Sequence, residues 1–239
     1  MQDRLSVARL LVVQTGSTHL RGDYPRWFER ALGFEMPVVR AHAGERLGPA
    51  LDRVRPQGII VTGSPLSVIE KTPWMLQLGD DLLRAGERGT PVLGVCFGHQ
   101  LLARASGGDV VQNPRGREIG TVRVQLTDAG RKDLLFAWAG DPEIEVQATH
   151  VDAVDPLPAA ATVLASNENT AAQAYRLSET VAGVQFHPEL WAAAMRDLIL
   201  SRRDNLAAEG RDAQALAAQV REVEAGAVLR AFAAQAQHS

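Results

Sequence analysis

In the first half of the chain, short wholly apolar runs alternate with longer amphipathic stretches. Arg9-Leu-Leu-Val-Val-Gln14 reads as a buried strand, ended by Thr15-Gly16-Ser17. Tyr24–Leu32 predicts a helix, with Pro25 near its first turn and Gly33 at its end. Met36–Arg40, Gly58–Thr62 and Pro91–Val95 are further strand candidates, and a helical pattern follows the last at once. Runs that are apolar throughout belong to parallel strands covered on both faces. The pattern predicts an α/β fold, a doubly wound, mostly parallel sheet with helices on both faces.

From Asp109 the pattern changes. Val122, Val124 and Leu126 recur at period two after a turn signal at Asn113-Pro-Arg-Gly116, which predicts an antiparallel segment on the sheet edge. Short strands are expected at Glu143–Thr149, Ala161–Ala165, Ala171–Arg176 and Val181–Phe186. Beyond Glu189, alanine and leucine dominate, broken by Gly210 and Gly226. Two or three helices are expected there, with Arg211-Asp212 as a restart. Helices gain most of their stability from tertiary packing, so this tail is read as a helical extension on the sheet; a partner-binding helix is the other reading. No repeat or linker divides the chain, so residues 1–190 are expected to form one domain and residues 191–239 an extension packed on it.

With 239 residues, 46% of them hydrophobic and 22% charged, the chain can fill one sizeable core. A net charge of −3 provides no bulk basic field for nucleic acid or an anionic membrane surface. No apolar run reaches the ~18–20 residues that a membrane helix requires. Only Lys71 and Lys132 among the 25 basic residues are lysines, and the arginines are scattered rather than blocked, a matter of composition rather than a binding surface. The first residues lack the apolar centre of a signal peptide, so a cytoplasmic setting is the expectation.

The sole cysteine, Cys96, excludes an internal disulfide and an all-cysteine zinc site. It sits where the strand ending at Val95 must turn into a helix, flanked by Gly94 and Gly98, which would let the backbone pass a tight turn at positive φ. The same arrangement lifts the serine of a G-x-S-x-G turn above its sheet. Helix N–H dipoles at that point favour a thiolate, and the Phe97 N–H is free to donate to an oxyanion. A free cysteine can also be a small buried hydrophobe, but the glycine-flanked junction favours the nucleophile. Its base is expected at His187, where a strand pattern ends abruptly in His187-Pro-Glu189. Open α/β sheets place their sites at such carboxyl ends, and Glu189 can fix the ring's tautomer. Gly63-Ser64, after another buried strand, permits close approach of backbone N–H groups to a ligand; alone it reads as an ordinary turn.

Gly94-Val-Cys-Phe-Gly-His-Gln100, Gln185-Phe-His-Pro-Glu189 and Thr62-Gly-Ser-Pro65 resemble the three signatures of class I, triad-type glutamine amidotransferase domains, in the family's order, across residues 8–190. The resemblance implies the family's fold, with Cys96 as nucleophile, His187 as base and Glu189 as its orienting carboxylate. It also implies oxyanion donors from the Gly63-Ser64 backbone and the Phe97 N–H, and substrate contact by Gln100 and His150. Two departures stand out: Gly-Ser-Pro replaces the usual Gly-Gly-Pro, and Val151 replaces the glycine after His150. Gln14-Thr-Gly16, Gly22–Phe28 and Asn113–Gly120 are similar to stand-alone members resembling the amidotransferase part of GMP synthase, a neighbourhood that includes plant γ-glutamyl peptidases. No phosphate loop of the Walker type occurs, and about 50 residues after Glu189 leave no room for a synthetase.

The implied activity is hydrolysis of glutamine's γ-carboxamide through a Cys96 thioester, with ammonia delivered to a separate, ammonia-accepting synthetase. The first alternative is a γ-glutamyl peptidase acting on glutathione-like conjugates, and the second a non-catalytic binding or regulatory module. No cofactor or metal is expected, because His19, His42 and His238 lack ligand spacing. His99, on the same helix face as Cys96, is read as a packing residue, with an alternative base as the other reading. Trp27, Phe28 and Trp74 are read as packing residues, and Arg21-Gly-Asp23 as fortuitous.

Overall fold

The computed structural model describes residues 8–238. Its first half alternates β1 (Leu10–Gln14), α1 (Tyr24–Leu32), β2 (Val38–Arg40), α2 (Leu47–Val54), β3 (Gly58–Val61), α3 (Pro73–Glu87), β4 (Val92–Val95) and α4 (Phe97–Ala105). Then come β5 (Val110–Gln112), β6 (Glu118–Leu126), β7 (Glu143–His150), β8 (Asp152–Val154), β9 (Thr162–Ser166), β10 (Ala174–Arg176) and β11 (Val181–Val184). The chain closes with α5 (Ala192–Ser201), α6 (Arg203–Ala208), α7 (Ala213–Gln219) and α8 (Ala227–Gln237).

Nine strands form one sheet in the order β2-β1-β3-β4-β11-β10-β9-β6-β7. The first five run parallel, and β11, β10, β9, β6 and β7 pair antiparallel in turn. The strands of the parallel half are apolar on both faces because both faces are covered. Leu10, Val12, Ile60 and Leu93 pack with Phe28 of α1 and with Val228, Leu229 and Phe232 of α8. Their neighbours Leu11, Val13, Ile59 and Val61 pack on the other side with Met75, Leu78 and Leu82 of α3 and Leu101 of α4. The alternation follows from the period of two along a strand.

Local signals act as their chemistry requires. The Asp23 side chain accepts from the Tyr24 amide at the start of α1, and Gly33 ends it in the left-handed region at φ 84°. The antiparallel part is wider than an edge segment, four strands beyond β11, with β7 as the edge. The stretch from Asp109 to Leu126 divides at the Asn113–Gly116 turn, where the Gly116 amide donates to the Asn113 carbonyl at 2.9 Å. Before the turn, β5 pairs with β8 in a separate ribbon; after it, β6 joins the main sheet. The tail holds four helices rather than two or three. α6 is followed by Gly210 at φ 71°, and Asp212 restarts the chain by accepting from the Gln214 and Ala215 amides.

Candidate active site

β3, β4 and β11 lie side by side and parallel, so their carboxyl ends meet at one edge of the sheet. Thr62-Gly63-Ser64 leaves β3, Cys96 follows β4, and His187 lies three residues beyond β11. A Cβ built on Gly63 would lie 2.9 Å from His187 Cε1 and 3.7 Å from Cys96 Cβ. Three segments separated by dozens of residues therefore converge, and Gly63 is glycine because the imidazole occupies the place of its side chain.

Cys96 is the N-cap of α4, with φ 50° and ψ −98°. Non-glycine residues rarely adopt such a conformation, and it costs of order 1–3 kcal/mol. The positive φ belongs to the cysteine itself and not to Gly94 or Gly98. Those two serve close packing instead: a Cβ on Gly94 would meet the Gly98 carbonyl at 2.5 Å, and one on Gly98 the Val61 carbonyl oxygen at 2.7 Å. Surrounding bonds hold the strained residue, its amide donating to Val184 O at 2.9 Å and its carbonyl accepting from the Gln100 amide at 3.0 Å. Neither the Phe97 amide nor those of Gly63 and Ser64 donates to an acceptor among the described residues, which leaves N–H groups free beside the sulfur.

His187 and Glu189 are both buried, and His187 Nδ1 lies 2.7 Å from Glu189 Oε1. Burial works against a charged imidazolium, yet the charges of Glu189 and Cys96 outweigh it and push His187 up to about 10. Nε2 has no hydrogen-bond partner among the described residues, so Cys96 acts on the ring by charge and proximity rather than through an aligned bond. A nucleophile, an imidazole held in one orientation and free backbone donors form the arrangement that acyl transfer needs.

The remaining predicted residues gather around a cleft of about 260 Å³ that Cys96 lines with Ser64, Phe97, Gln100 and His150. Ser64 sits where a second glycine is usual, without a positive φ, and its hydroxyl donates to Thr15 O at 2.9 Å. Gln100 Nε2 donates to Asp152 O at 2.9 Å and Gln185 Oε1 at 3.1 Å. His150 lies on the cleft, but its ring is held between two acceptors, Asp152 O at 3.0 Å and Glu118 Oε2 at 2.9 Å. Burial acts against ionised Glu118, but hydrogen bonds from His150, Asn167 and Gln173 hold its carboxyl below the usual range. His99 is fully buried, 4.4 Å from the Tyr175 ring centroid, and burial drives it down to about 3. It packs as a neutral ring and presents no base. Among the described residues no group of three or more His, Cys, Asp and Glu could hold a metal ion.

The sequence did not single out Arg117 and Arg202 as site residues, though both line the cleft, nor Tyr24. Burial, reinforced by the nearby charge of Cys96, holds the Tyr24 phenol above its usual range, so it remains a donor. No local pattern distinguishes either arginine from the other scattered ones; Arg202 arrives between α5 and α6, and Arg117 lies just before β6.

The family model described as Glutamine amidotransferase class-I matches residues 29–203. A GMP synthase [glutamine-hydrolyzing] of Aeropyrum pernix is 36% identical over 162 residues, 67% of this chain and 29% of that protein. Gamma-glutamyl peptidase 4 of Arabidopsis thaliana is 30% identical over 156 residues, 64% of this chain and 60% of that one. The chain thus spans less than two thirds of either relative's length. A crystal structure of a glutamine amidotransferase from Thermotoga maritima shares the fold, with TM-score 0.78 at 22% identity, over 97% of this chain and 99% of that one. No helix among the described residues is long and apolar enough to cross a membrane. On the extent of the family match, the chain belongs to the class I glutamine amidotransferases.

Proposed function

We propose that this protein hydrolyses the γ-carboxamide of glutamine through a thioester on Cys96. The observation that supports the reading best is the contact of Gly63 with both Cys96 and His187, because it joins nucleophile, base and oxyanion donors. The Cys96 thiolate attacks the side-chain carbonyl carbon, and the amides of Gly63, Ser64 and Phe97 receive the oxyanion. The His187 imidazolium, oriented by Glu189, protonates the nitrogen as the C–N bond breaks and ammonia leaves. His187 then takes a proton from water, which attacks the thioester; the C–S bond breaks and glutamate departs. Free ammonia would protonate and dilute, so an acceptor enzyme is the proposed partner. The glutamine-hydrolyzing subunit of a GMP synthase from Sulfurisphaera tokodaii is 38% identical over 55% of this chain and 66% of that one. That likeness supports an acceptor synthetase carried on a separate chain.

The similarity to gamma-glutamyl peptidase 4 favours a second reading, cleavage of γ-glutamyl peptides at the same site. Both substrates share the γ-glutamyl half, so the triad serves either. Incubation of the purified protein with glutamine and with γ-glutamyl dipeptides separates the two. Ammonia release that vanishes in Cys96→Ala supports the first reading; robust dipeptide cleavage with negligible ammonia release supports the second. Retained turnover in Cys96→Ala rejects both.

A further inference from the structure

Arg202 differs from the other arginine of the cleft in its bonding. Arg117 forks onto Glu209, with Nε 2.9 and 3.1 Å from the two carboxylate oxygens. Arg202 donates through Nη1 to the Thr149 hydroxyl, and no carboxylate among the described residues pairs with it. A guanidinium carries five N–H donors, and withdrawing its charge from water without a partner is unfavourable. Burial accordingly lowers Arg202 from its ordinary value, and the neighbouring Arg117 adds to that effect. The one carboxylate on the cleft wall, Asp152, already accepts from Ser67 Oγ. The cleft therefore presents a partly desolvated cation, with unused donors, alongside Cys96.

We propose that Arg202 binds a carboxylate of the substrate, and that the cleft thereby selects γ-glutamyl compounds bearing that carboxylate over their neutral amides. The proposal rests on the cleft being the γ-glutamyl site. It extends that reading by giving the substrate an obligatory anionic group and assigning the residue that reads it. The planar fork of arginine matches a carboxylate's two oxygens, and Thr149 holds the fork in place. The carboxylate has two sources: the α-carboxylate of the glutamyl half, or one on the leaving half.

Binding to the full-length Cys96→Ala chain, measured by calorimetry, tests this without turnover. Two ligand pairs separate the sources: glutamine against its α-amide, and γ-glutamylglycine against γ-glutamylglycinamide. With Arg202 intact, the acid of at least one pair is expected to bind about 10- to 100-fold tighter than its amide. Arg202→Gln brings that ratio to about 1, and Arg202→Lys, which keeps the charge and loses the fork, brings it to an intermediate value. A ratio lost in the first pair assigns the glutamyl carboxylate, and one lost in the second assigns the leaving half. Because each ratio is taken within one variant, a general loss of stability cancels. Absence of any acid preference with Arg202 intact, or a ratio unchanged in both variants, overturns the proposal. Turnover by the unsubstituted chain tests catalysis separately: no turnover with an Arg202-dependent ratio rejects the hydrolysis and retains the subsite, and the converse result rejects the subsite alone.

Discussion

The strained backbone of Cys96 and the missing side chain of Gly63 are two halves of one constraint. The cysteine must turn its sulfur out of the strand-to-helix junction, and the imidazole must reach it across the space that a Cβ on residue 63 would fill. Gly63→Ala should therefore displace His187 and disturb the adjacent donors, lowering kcat by ~10²–10³, the range seen when one oxyanion donor is lost. Steady-state kinetics, with circular dichroism to show an intact fold, measure the effect; unchanged kcat would separate Gly63 from the chemistry. His187 also links pH to stability. Its folded value, about 10, lies above the ordinary 6.5. Its stabilisation is thus complete below about 6.5 and fades as pH rises through about 10, because over that span the folded chain holds a proton that the unfolded chain releases. Urea denaturation between pH 7 and 10 should show this loss, and Cys96→Ala, which removes one of the two raising charges, should flatten it.

The three reacting segments meet because β3, β4 and β11 are neighbours in the sheet, although β11 comes last in sequence. The helical tail contributes from the opposite end: Phe232 of α8 is buried beside Gly58, where β3 begins. Phe232→Ala should cost ~3–5 kcal/mol of stability, read as a lower denaturation midpoint, while kcat of the folded fraction stays within about twofold. A large fall in kcat would tie α8 to the site. Elements with local signals were legible in the sequence: β1, β3 and β4 as apolar runs, α1 from its cap and its terminal glycine, Asp212 as a restart. The ribbon of β5 and β8 was not, because two three-residue strands some 40 residues apart carry no register information. The width of the antiparallel half escaped for the same reason. At the site, Cys96, His187 and Glu189 could be read from their position after apolar runs. The Cys96 dihedral could not, since flanking glycines point to themselves as the positive-φ residues. Arg202 was equally hidden, its role depending on a tertiary approach to Thr149.

Across the whole molecule, the two-faced sheet supports a rim on which nucleophile, base and donors stand together, and the cleft above them opens beside two arginines. The match over residues 29–203 covers that rim and the approach of Arg202. If ammonia is passed onward, addition of the acceptor synthetase with its other substrates should raise glutamine turnover and suppress free ammonia, measured together in one coupled assay. Equal rates and full release with and without the acceptor would argue for hydrolysis as the end in itself. The account as a whole depends on an acyl group residing on one sulfur. Acid-quenching the protein during steady-state turnover of glutamine, followed by peptide mass spectrometry, tests that most directly. A γ-glutamyl adduct on the peptide containing Cys96, absent from Cys96→Ala, is the predicted result; sustained turnover with no adduct on that peptide, and undiminished in Cys96→Ala, would contradict it.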